Sequence, residues 1–145
     1  MYQLKKLKSL LLLLCIAIMA KEQLSDGKVY NFVNVGNNTK SLVALSLSNL
    51  SIATTDKTAA QQLWYVEKVS DGVFALRNLY SGYYLHSPNK QGNTKWTLVN
   101  RMEESSRFTC TTAGGGYALR AANTTDNGLY MHYGLRTKRA DCFAE

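Results

Sequence analysis

Helical periodicity is nearly absent from this 145-residue sequence. Beyond residue 20 no sustained run places apolar residues at i, i+3, i+4 and i+7, so the chain offers nothing to build a helical layer from. Cysteine is scarce. Cys15 lies in the N-terminal apolar run, and only Cys110 and Cys142 remain beyond it. Their spacing is that of neither a metal site nor a redox motif. Histidine occurs twice, as His86 and His132. There is no G-x-S-x-G elbow and no H-E-x-x-H helix, and no grouping of His, Cys and Asn or Asp carries a signature of nucleophilic catalysis. Gly114-Gly115-Gly116 has no helix after it, as a phosphate cradle requires, and reads as a loosened turn. The segment therefore reads as non-enzymatic, with no cofactor and no metal.

Long hydrophobic runs are limited to one. Leu10–Ile18 is unbroken apolar sequence, too short for the roughly 20 residues that span a bilayer. Lys5, Lys6 and Lys8 precede it and Ala20 follows, which is the form of a secretory signal peptide over residues 1–20. Ile18, three before the cut, is larger than ideal. Cys15 raises a lipoprotein alternative, but Leu14 precedes it where a small residue belongs. Cleavage after Ala20 leaves 125 residues, one domain over 21–145. It removes three lysines and no acid, so the net charge falls from +7 to +4. The basic excess is thus partly a property of the leader, and it points to a mixed soluble surface, not to nucleic acid. The expected destination is secretion, the periplasm or the cell surface, with no transmembrane segment after cleavage.

What the chain does contain is repetition. Val29-Tyr30-Asn31-Phe32-Val33-Asn34 matches Val73-Phe74-Ala75-Leu76-Arg77-Asn78, which matches Gly116-Tyr117-Ala118-Leu119-Arg120-Ala121. Tyr30 to Phe74 is 44 positions and Phe74 to Tyr117 is 43. Gln61-Gln62-Leu63-Trp64 likewise stands 44 positions before Ser105-Ser106-Arg107-Phe108. A fixed period of this size marks one supersecondary unit used several times. Within each unit, short alternating runs rich in Val, Tyr, Phe, Leu and Thr are divided by Gly, Asn, Asp and Ser.

The units run over about 26–69, 70–113 and 114–145. The expected strands are 29–35, 41–45, 50–54 and 63–69, then 73–79, 83–86, 95–100 and 107–111, then 117–121, 129–133 and 141–144. Asp26-Gly27 and Asp71-Gly72 are hairpin signals, because glycine reaches positive φ without steric cost. Four strands per unit and a pseudo-threefold repeat of about 44 residues imply an all-β fold, the β-trefoil. Three propeller blades would be too few to close a ring. Tyr30/Phe32, Phe74/Leu76 and Tyr117/Leu119 should point into a shared core, with Trp64 and Phe108 plugging it between units. Cys110 follows Phe108 as Val66 follows Trp64, which favours a small buried hydrophobe over the alternative, a disulfide with Cys142. The third unit is incomplete. Adding 44 to 108 calls for an aromatic near position 152, so the last strand is expected to be missing and the chain to be a fragment of a longer protein or the product of a truncated gene. A barrel without that strand would expose edges and a hole in the core.

Gln62-Leu63-Trp64, at the end of a repeat, is the Q-x-W signature, and the chain resembles the ricin-type β-trefoil lectins. The strings from Tyr30, from Gln61 and from Phe74 to Leu85 are also similar to trefoil modules of secreted Bacteroidota proteins, which often precede further domains. The resemblance covers nearly all of residues 26–145. It implies a noncatalytic carbohydrate-binding module, an appendage that positions a larger secreted protein on a glycan or polysaccharide. It also implies that Gln62 and Trp64 are structural, as is Phe108 at the matching place. In the lectins an acid just after the second strand holds the sugar. Here those places read Val43-Ala44, His86-Ser87 and His132-Tyr133, and no unit has the acid.

The candidate sugar-binding residues are therefore substitutes. Tyr84, His86, Asn89, Trp96 and Asn100 in the second unit offer aromatic faces for sugar C–H groups and polar groups for hydroxyls. Tyr130, His132 and Tyr133, with Arg136, offer the same in the third. The plainer reading is that Trp96 fills core space and Tyr84 packs between hairpins, with their polar atoms satisfied. His86 and His132 occupy equivalent loops about 120° apart and should not converge. Asn34 and Asn78 end the first strands and read as turn formers; Glu103-Glu104 and the basic residues Arg136, Lys138 and Arg139 read as solvated. The alternative function is a protein-interaction or structural β-trefoil without a sugar site.

Overall fold

The computed structural model describes residues 24–87, 96–113, 116–122, 131 and 142–144. The leader, Asn89, Tyr130, His132, Tyr133 and the basic residues at 136–139 lie outside them. Ten strands are present among the described residues: β1 (Val29–Asn34), β2 (Asn37–Ala44), β3 (Leu50–Thr54), β4 (Leu63–Ser70), β5 (Val73–Asn78), β6 (Tyr84–His86), β7 (Thr97–Val99), β8 (Phe108–Ala113), β9 (Gly116–Ala121) and β10 (Cys142–Ala144). One-turn 3-10 helices, Ala60–Gln62 and Glu104–Ser106, lead into β4 and β8.

Six strands close a ring. β1 pairs with β4, β4 with β5, β5 with β8, β8 with β9, β9 with β10 and β10 with β1, all antiparallel. The hairpins β2–β3 and β6–β7 stand off β1 and β5 as caps, and an isolated bridge from Asn49 to Thr97 joins them. This is the β-trefoil that the repeat implies. Gly27 at φ +73° and Gly72 at φ +70° make the turns into the first two units, a conformation that costs a side-chain-bearing residue steric strain.

Alternation along the strands builds one core. Phe32, Leu42, Trp64, Val66, Phe74, Leu76, Leu85, Leu98, Phe108 and Leu119 are buried together, with Leu24 and Met131. Tyr30 and Cys110 pack partly buried against them, and Tyr117 is half-buried. Trp64 and Phe108 are fully enclosed, as their repeat position requires, and the Trp64 Nε1 proton is donated to the Leu42 carbonyl at 3.4 Å. Burying each ring contributes about 1.5–3 kcal/mol. Cys110 is a free thiol, and burial pushes its pKa up to about 12.

Register aligns the units residue by residue. Trp64 stands opposite Tyr30 and Phe108 opposite Phe74. The same place in the third unit, opposite Tyr117, belongs to Cys142. Among the described residues the last strand of the third unit has three residues against eight and six. The repeat makes 141–144 the third strand of this unit and expects a further strand near position 152. In the fold Cys142–Ala144 takes the closing slot between β9 and β1, earlier than a constant period of 44 would place it.

Candidate functional site

The first-strand asparagines are turn formers. Asn34 Oδ1 accepts the Asn37 amide at 2.8 Å. Asn78 is wholly buried; its Oδ1 accepts the Tyr80 and Ser81 amides, and its Nδ2 donates to the Gln61 and Leu63 carbonyls. A side chain that satisfies four backbone groups has none to spare for a ligand.

Gln62 is structural as well. Its Nε2 donates to the Thr54 carbonyl at 2.8 Å and its Oε1 accepts the Asp56 amide at 2.9 Å, which ties the end of β3 to the start of β4. Asp56 Oδ1 accepts from the Thr58 hydroxyl at 2.6 Å and the Thr58 amide at 2.9 Å, and these bonds lower the Asp56 pKa. Beneath this turn the first hairpin closes on itself. Ser41 Oγ donates to Asn31 Oδ1 at 2.7 Å and shares a 2.8 Å bond with Thr55 Oγ1, while Asn31 Nδ2 donates to the Gln62 carbonyl at 3.4 Å.

The second unit answers the same positions differently. Ser106 replaces Gln62 and is too short to reach the hairpin. Instead His86 reaches back from β6, its Nδ1 lying 3.3 Å from Ser106 Oγ. Ser106 Oγ also accepts the Glu103 amide at 3.3 Å, in a capping box around Glu104–Ser106. His86 thus stands half-exposed on β6 with its Nδ1 engaged by Ser106. Tyr84, two residues earlier, shares that face, while Leu85 between them is buried. Thr97 and Val99 lie opposite on β7, also half-exposed.

Trp96 follows the plainer of its two readings. Its ring stacks on Phe108 with centroids 5.5 Å apart and planes 28° from parallel, and it packs on the core in the place of Leu50. Asn100 lies exposed just past β7. The described candidates therefore divide. Tyr84 and His86 share one face, Trp96 belongs to the core margin, and Asn100 stands beyond the strand.

The sequence reading missed the neighbours of Tyr84. Its hydroxyl donates to Glu67 Oε2 at 3.0 Å, with Oε1 at 3.3 Å. Arg77 Nε donates to Glu67 Oε1 at 2.8 Å, and its guanidinium carbon lies 5.1 Å from the Tyr65 ring centre. Burial and the bond to Glu67 raise the Tyr84 pKa; the bond to Glu67 raises that of Arg77. Register explains the cluster. Tyr65 faces Arg77, Arg77 faces Tyr84, and Glu67 faces Ala75, whose methyl leaves room for Tyr84 to lean across. Glu67 is an acid carried on β4 and not in a hairpin loop, and cross-strand register, not a local pattern, brings it to Arg77 and Tyr84. Among the described residues no group of three His, Cys, Asp or Glu side chains is placed to hold a metal.

Residues 60–132 match the family described as ricin-type beta-trefoil lectin domain-like. A ricin B-like lectin of Macrolepiota procera in complex with lactose is 17% identical, with 85% of this chain covering 98% of that one at a TM-score of 0.60. ThreeFoil, a designed threefold symmetric protein, is 18% identical over 80% of this chain and 96% of its own, at a TM-score of 0.62. The Polyporus squamosus lectin bound to a human-type influenza-binding epitope, Neu5Aca2-6Galb1-4GlcNAc, is 10% identical at a TM-score of 0.60; 82% of this chain covers 48% of that one. The chain thus spans about half the length of the latter. No curated protein matches the chain at a significant level.

Proposed function

The chain belongs to the ricin-type β-trefoil lectin domain-like family, and from that premise we propose that it is a noncatalytic carbohydrate-binding module, secreted or surface-directed, serving as the glycan anchor of a larger protein. The observation that supports this most directly is the outward face of β6. Tyr84 and His86 stand side by side there, half-exposed, each with its polar atom already oriented by a neighbour. Fixing side chains before the ligand arrives removes part of the entropic cost of binding. A sugar meets an aromatic face and an imidazole whose second nitrogen remains for a hydroxyl.

The test is binding of the purified protein to an immobilised glycan panel, competed by free saccharide. Dose-dependent retention should be lost in His86→Ala while the thermal melt persists. Absence of retention on every glycan would overturn the reading. The stacking of Trp96 on Phe108 favours the second reading, a protein-interaction or structural trefoil. In that case Trp96→Ala lowers stability and no glycan response exists to lose.

A further inference from the structure

We propose that the Glu67–Arg77 pair on the outer wall of β4 and β5, flanked by Tyr65 and Tyr84, is a second saccharide subsite that takes a neutral vicinal diol. The inference goes beyond the β6–β7 face and shares only Tyr84 with it.

The argument begins with what the cluster does not do. Arg77 and Glu67 are 38% and 26% exposed in their side chains, and ion pairs so placed contribute about 0–1 kcal/mol to stability. Nor does the fold demand the pair. At the equivalent place on the next strand pair, Thr109 stands opposite Arg120 and Thr111 opposite Ala118, so β8 offers no carboxylate there. Among the described residues, the β8–β9 junction thus lacks the pair that the β4–β5 junction carries.

Its remaining valences define a ligand. The guanidinium carries five N–H donors, and the one on Nε goes to Glu67. The Tyr65 ring lies 5.1 Å from the guanidinium carbon, and the Nη groups are left as donors. The carboxylate has about four acceptor sites and receives Arg77 Nε and the Tyr84 hydroxyl, so acceptor capacity remains beside the Nη donors. A hydroxyl both donates and accepts. Two on adjacent carbons can therefore satisfy the carboxylate and the guanidinium together. The pair is neutral overall, which gives no preference for an anion. The rings of Tyr65 and Tyr84 offer apolar contact to sugar C–H groups, which a bare diol lacks.

The experiment is a titration of the whole 15N-labelled protein with methyl galactoside, methyl mannoside, methyl glucoside and methyl N-acetylglucosaminide, with glycerol as the bare diol. The readout is the Arg77 Nε–H resonance beside the backbone amides of β6 and β7. The expected result is a saturable shift at Arg77 with at least one glycoside and a much smaller one with glycerol. Glu67→Gln should weaken it by about tenfold or more, the worth of a hydrogen bond to a charged group, with an unchanged melt, and His86→Ala should leave it intact. Shifts confined to β6 and β7 would overturn this subsite and leave the proposed function standing. Equal shifts with glycerol would overturn its assignment to a saccharide. No shift anywhere with any glycoside would overturn both.

Discussion

The first and second units share a backbone and spend their side chains in opposite ways. In the first, Asn31, Ser41, Thr55 and Gln62 bond to one another and to the chain until the hairpin is sealed. In the second, the same positions carry Ala75, Tyr84, Arg101 and Ser106. The shorter residues leave work undone, and the longer ones finish it from outside: His86 bonds back to Ser106, and Tyr84 crosses to Glu67. One unit hides its polar groups, whereas the other holds them at the surface. A repeat can therefore acquire a recognition face without altering its core, by moving hydrogen bonds outward.

This contrast can be broken in graded ways. The largest effect is expected where the units agree. Trp64→Ala and Phe108→Ala should each cost about 3–5 kcal/mol in chemical denaturation, because each leaves a cavity at an inter-unit plug. Gln62→Ala should cost about 1–3 kcal/mol, since it strands the Asp56 amide and the Thr54 carbonyl, while Ser106→Ala should cost about 1 kcal/mol and release the His86 ring, visible as a change in its NMR line. Cys110→Val copies Val66 of the first unit and should change stability by less than about 1.5 kcal/mol at neutral pH.

The same variant sharpens a difference in pH response. The Cys110 thiol is held up to about 12 in the fold against 9.0 for the free group. Above pH 9 the unfolded chain loses that proton while the native state keeps it. The unfolded state then binds fewer protons, and stability falls as pH rises from 9 towards 12. Cys110→Val should flatten that part of the decline in a pH series of melts. The smallest effect is expected at the surface. Tyr84→Phe should cost under about 1 kcal/mol, because Glu67 keeps its bond to Arg77.

The fold was legible because burial imposes a period. Phe32, Leu76 and Leu119 sit at matching places in the units, and the fold buries all three in one core. Asn34 and Asn78 were readable for the same reason, since a turn constrains its own residues locally. Glu67 and Arg77 were not, because they meet across strands ten residues apart and their pairing is a matter of register, which no local pattern states. Trp96 was ambiguous in principle: an aromatic near a hairpin can face in or out, and only Phe108 beneath it decides. The slot taken by Cys142–Ala144 escaped the reading because a constant period of 44 was carried into a unit that does not keep it.

The β1–β10 ladder also has a topological meaning. It makes the first and last strands of the barrel neighbours, so the ring has no privileged point of entry. A gene rearranged to begin at Gly72 and end at Asp71, with a short linker joining the former ends, would thread the same six staves in the same cyclic order. Such a circular permutant should keep its strands and its β6 face, and it would turn the β1–β10 ladder into an internal connection.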